Sequence, residues 1–109
     1  MSPDERYAAV VASLTENPDV SFGSAGGRGF GSAALKVNGQ IFAMLSSDER
    51  FVVKLPRQRV DALVAAGEGE RFDPGHGRLM KEWLSLHPAT EADWLHLARE
   101  AMGFVGSRR

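Results

Sequence analysis

The sequence predicts an α+β fold, an antiparallel sheet packed with N-terminal, central and C-terminal helices. Three observations carry this. Residues 35–56 read as three short strands in series, with Asn38-Gly39 as the two-residue signal of a type I′ hairpin and the polar run Ser46 to Arg50 as a second turn. Trp94, Leu97, Ala98, Ala101, Met102 and Val105 recur at helical spacing as one apolar stripe. Tyr7, Val10, Val11 and Leu14 form a second stripe of the same period near the start.

Taken in order, residues 3–16 are the first helix. Ser2 suits the N-cap, Pro3 the first helical position, and Glu5 completes a capping box. Asn17-Pro18 ends it, because a residue before proline is steered away from helical angles. Gly23 to Gly31 reads as a flexible connection. The strands fall at 33–38, 40–46 and 51–55, and Lys54-Leu55-Pro56 closes the third and opens a helix from Arg57 to about Ala66. Val60, Leu63 and Val64 point inward there, with Gly67 as the left-handed stop. Glu68 to Arg78 is polar and reads as loop. Leu79 to Leu86 fits either period and is assigned as a fourth strand. Thr90 is the expected cap of the last helix, with Asp93 supplying the carboxylate three residues on, and 106–109 is a frayed tail.

A turn at Asn38-Gly39 sets Val37 opposite Gln40, Lys36 opposite Ile41 and Leu35 opposite Phe42. Leu35, Val37, Phe42, Met44, Phe51, Val53 and Leu55 then share the core face. Lys36, Ile41, Ala43, Val52 and Lys54 share the other. Its apolar centre, Ile41, Ala43 and Val52, needs a cover, either another element of the chain or a partner, most simply a second copy in a symmetric homodimer.

A chain of 109 residues reads as one domain, 1–109. It has no apolar run of membrane-spanning length, and its acidic start, Ser2-Pro3-Asp4-Glu5, does not look like a secretion signal. The absence of cysteine excludes disulfides, thiolate metal sites and thiol catalysis, and fits a reducing cytoplasm. A net charge of −1 argues against a protein built to coat nucleic acid. Charge is uneven, however: six basic residues stand against two acids from Arg28 to Arg59, and eight acids against four basic residues from Val60 to Glu100. Arg28, Lys36, Lys54, Arg57 and Arg59 are therefore the candidate binding residues for an anionic partner, nucleic acid included.

Candidate chemistry is sparse. Gly27-Arg28-Gly29-Phe30-Gly31 looks like a dinucleotide fingerprint, but a strand rather than a helix follows it. Its amides and Arg28 could at most hold an anion or small ligand. His76, His87 and His96 lack metal-ligand spacing, and no Gly-x-Ser-x-Gly elbow occurs. Asp73 and His76 have no nucleophile beside them. Trp83 and Trp94 are expected in the core, since stacking on a base needs an exposed ring with flanking cations. No catalytic set, metal site, cofactor or membrane contact is expected.

The strand block Leu35-Lys36-Val37-Asn38-Gly39-Gln40-Ile41-Phe42-Ala43, followed by Phe51-Val52-Val53-Lys54-Leu55-Pro56, resembles the TfoX/Sxy N-terminal domain family and is similar to the MmcQ/YjbR group. Met80-Lys81-Glu82-Trp83-Leu84 and Asp93 to Ala101 extend the resemblance toward small stand-alone members. It implies an antiparallel sheet with helices and a bacterial cytoplasmic setting. Full-length TfoX/Sxy proteins regulate competence for DNA uptake and carry a second helical domain for which this chain has no room, and the family supplies no catalytic residues. The expected function is a non-enzymatic protein-interaction module with a regulatory role; the alternatives are direct nucleic-acid binding and ligand binding at the glycine loop.

Overall fold

A computed structural model of the chain describes residues 3–22, 34–46, 50–72, 80–86 and 93–107. The helices are α1 (Pro3–Leu14), α2 (Arg57–Ala65) and α3 (Trp94–Gly106). The strands are β1 (Val20–Phe22), β2 (Leu35–Val37), β3 (Gln40–Leu45), β4 (Phe51–Lys54), β5 (Gly69–Phe72) and β6 (Met80–Leu86). They form one antiparallel sheet in the order β1-β2-β3-β4-β6-β5. The α+β class is as predicted, with six strands in place of four.

Asn38 and Gly39 both take positive φ, 52° and 83°, as a type I′ turn requires. Leu55-Pro56 leads directly into α2, and Gly67 at φ 80° stops it. Asp93, rather than Thr90, caps α3: its side chain accepts a hydrogen bond from the His96 amide at 3.2 Å. Thr90 and Ser2 lie outside the described residues. Gly106 closes α3 instead of opening a tail.

Two strands escaped the sequence. β1 is only three residues long, too short to show a period. β5, Gly-Glu-Arg-Phe, replaces part of an expected loop. Gly69 explains how so polar a strand joins the sheet. A Cβ there would lie 2.5 Å from the Ser85 carbonyl oxygen, so only glycine lets the backbones close to this distance.

All three helices cover the same face. α3 lies across β2, β3 and β4, α2 sits over β5 and β6, and α1 packs against α3. The main core beneath them joins Tyr7, Val10 and Leu14 to Leu35, Val37, Phe42, Phe51 and Val53, and to Val60, Leu63, Trp94 and Leu97. The expected core residues Leu35, Val37, Phe42, Phe51, Val53, Trp94 and Leu97 are all buried. Trp94 stacks on Phe51 with centroids 4.7 Å apart and planes 9° from parallel, while the Arg6 guanidinium lies 4.1 Å from the indole centroid. Burial holds the Tyr7 hydroxyl above the ordinary tyrosine range.

The expected register holds at the hairpin and fails one residue later. Val37 pairs with Gln40 and Lys36 with Ile41, but Leu35 pairs with Ala43, because a bulge inserts Phe42 as an extra residue of β3. Phe42 and Ala43 consequently both enter the main core, and every later residue of β3 changes face. Met44, expected in the core, lies on the opposite face with Val52. Ala43, expected there, does not.

Candidate functional site

The sheet face that no helix of the described residues covers, here called the helix-free face, divides into two rows that run across the strands. Ala34, Met44 and Val52 form a small cluster of their own, exposed by 0, 3 and 0%, and Ser85, opposite Val52, is exposed by 6%. This row is closed to solvent. One step along each strand, on the same face, lie Lys36 and Ile41, paired on β2 and β3, and Lys54 and Trp83, paired on β4 and β6. These four are half-buried. The second row is thus a lysine, an isoleucine, a lysine and a tryptophan on four successive strands.

The Lys54 ammonium stands 5.5 Å from the centroid of the Trp83 ring, within cation–π range. Ile41, Trp83 and Phe72 pack their apolar parts against the closed cluster. The row therefore rests on a fixed apolar base and presents its polar ends outward, as amphipathic side chains do at a boundary between core and water.

Cations on the rest of the molecule are committed differently. Arg59 makes a two-pronged bridge from α2 to Glu100 of α3, Nε to Oε2 at 3.0 Å and Nη2 to Oε1 at 2.9 Å. That hydrogen bond raises the Arg59 guanidinium above its ordinary range, against a smaller opposing effect of burial. Glu100 also receives His96 Nε2 at 3.1 Å. Arg71 binds Asp61, tying β5 to α2, and Arg50 reaches both Glu70 (2.8 Å) and the Leu86 carbonyl (3.1 Å). Among the described residues, none forms an ion pair with Lys36, Lys54 or Lys81.

The candidate basic residues do not form one surface. Lys36 and Lys54 share the helix-free face, whereas Arg59 lies on the helical side, bound to Glu100, and Arg57 is exposed at the start of α2. Arg28 and the glycine-rich loop lie outside the described residues, as do Asp73, His76 and His87. Of the expected apolar interface, Ala43 belongs to the main core and Val52 to the closed row, so only Ile41 reaches the boundary with solvent. Trp94 is a core residue as expected. Trp83, expected in the core, is instead half-exposed beside a cation, and the signal for it was its alternation with Leu84 and Ser85 along β6.

Among the described residues, no three histidine, aspartate or glutamate side chains converge to hold a metal ion. No helix of the described residues is long and apolar enough to cross a membrane. No family model, no curated protein and no solved structure matches the chain.

Proposed function

We propose that the chain is a non-enzymatic interaction module, related to the stand-alone members of the TfoX/Sxy and MmcQ/YjbR groups, that contacts a protein partner in the bacterial cytoplasm through the Lys36, Ile41, Lys54, Trp83 row. The observation that carries this reading is the difference between the two rows of the helix-free face. The first is closed and serves only packing. The second keeps lysines without acidic partners among the described residues, set next to half-buried apolar side chains. That combination of apolar anchor and polar rim is the anatomy of a contact surface.

The family relation draws on the α+β fold and on the passage from Lys54-Leu55-Pro56 into α2, both of which agree with what the resemblance implies. A regulatory role follows from the same relation. Nucleic acid is the second reading, favoured by the Lys54 ammonium beside the Trp83 indole, a pairing that single-strand binders use.

Photo-crosslinking in living cells tests the contact surface. A crosslinking amino acid in place of Ile41 should yield one dominant protein adduct, and the same group in place of Arg99, exposed on α3, should not. Equal adducts from both positions, or none from position 41, would remove the row as a contact surface.

A further inference from the structure

The chemistry of the row selects among partners. Lys36 and Lys54 stand two strands apart, about 10 Å at ordinary strand spacing, with Ile41 on the strand between them. Across the sheet the row reads cation, aliphatic, cation, aromatic. Glu70, which strand pairing sets opposite Ser85, is held by Arg50. The surface is locally positive on a protein whose net charge is −1. It also has a single indole, already facing a lysine, where single-strand binders line up several rings.

Resting on the reading of the row as a contact surface, we propose that its occupant is an extended acidic segment of a partner protein, in which two carboxylates flank an aliphatic side chain. In a strand, residues i, i+2 and i+4 point the same way and span about 13 Å, which the flexible lysine stems can meet at both ends. The carboxylates pair with Lys36 and Lys54, and the aliphatic side chain between them packs on Ile41. The row is far smaller than the roughly 800 Å² per partner of a stable complex, so the segment alone binds weakly and in a salt-sensitive way.

Nuclear magnetic resonance titration of the full chain tests this with three probes. The first is a capped pentapeptide of glutamate, serine, leucine, serine and glutamate in that order. The second has lysine in place of both glutamates, and the third is a ten-residue oligothymidylate. The acidic peptide should give saturable shifts at the amides of Lys36, Ile41, Lys54 and Trp83, and the basic peptide none. Lys36→Glu with Lys54→Glu should weaken binding at least about tenfold. The milder Lys36→Gln with Lys54→Gln should also weaken it, guarding against a folding defect in the first pair.

Absence of shifts with the acidic peptide at millimolar concentration, or shifts confined to the helices, overturns the proposal. Stronger row shifts with oligothymidylate would replace the acidic segment by nucleic acid, and row shifts on raising protein concentration alone would replace it by a second copy. Both outcomes leave the row a contact surface, which stands or falls with the crosslinking from position 41.

Discussion

On one face of the sheet, Phe42, Phe51, Leu84 and their neighbours lie under three helices in a single continuous core. On the other, three small or linear side chains, Ala34, Met44 and Val52, make a separate cluster, and the next step along the strands is already half-open. Both faces are apolar in composition, so hydrophobicity alone does not tell them apart. What separates them is helical cover: α1, α2 and α3 pack on the first, and no helix of the described residues packs on the second. The helical face concentrates large rings and buries them wholly, while the other keeps a narrow packed strip and then turns to lysines and a tryptophan. Stability is drawn mainly from the first face, and the proposed contact lies at the edge of the second.

The largest expected effect therefore belongs to the helical face. Phe51→Ala removes a ring stacked on Trp94 and tilted against Tyr7, and should cost about 3–5 kcal/mol in chemical denaturation. Met44→Ala, in the closed row, should cost less, near the low end of about 2–5 kcal/mol. Equal losses would mean that the second cluster is as integral as the first.

Gly69→Ala should lose about 1–3 kcal/mol, because the new methyl group meets the Ser85 backbone and not a flexible side-chain end. A neutral result would show β5 to be free to shift away from β6.

Tyr7 gives the helical face a pH signature. Its folded-state value is raised by burial, so below the unfolded value of about 10 both states hold the proton and stability is unaffected. Above that, only the unfolded state readily ionises, and stability should fall as pH rises. Tyr7→Phe should flatten the alkaline limb of a melting-temperature profile, and an unchanged limb would place its cause elsewhere.

Arg59→Ala breaks a bridge whose partners are 40 and 30% exposed, so about 0–1 kcal/mol is expected in a melting experiment. A larger loss would make the α2–α3 contact part of the core.

The sequence announced much of the helical face and little of the other. Strands β2, β3, β4 and β6 and all three helices show their periods in apolar residues, and Asn38-Gly39 marks the hairpin. The bulge was hidden because Ile41, Phe42, Ala43, Met44 and Leu45 are all apolar, so one inserted residue leaves no break in pattern while exchanging Ala43 for Met44. β5 carries a charged pair and a glycine, and its place depends on a close backbone approach that composition does not encode. The proposed contact row was half-visible. Lys36, Ile41 and Lys54 follow from the hairpin, but Trp83 joins them only through the pairing of β6 with β4, a long-range fact invisible in local sequence.

The central claim is that the fold and the contact are carried by different parts of the same sheet. The most direct test compares melting temperature and crosslinked-partner yield for the Lys36→Glu, Lys54→Glu double variant, with the crosslinking group kept at position 41. Reversing two half-exposed charges should move the melting temperature by no more than about 5 °C and abolish the adduct. An adduct formed at the wild-type yield by the stably folded variant would contradict the account.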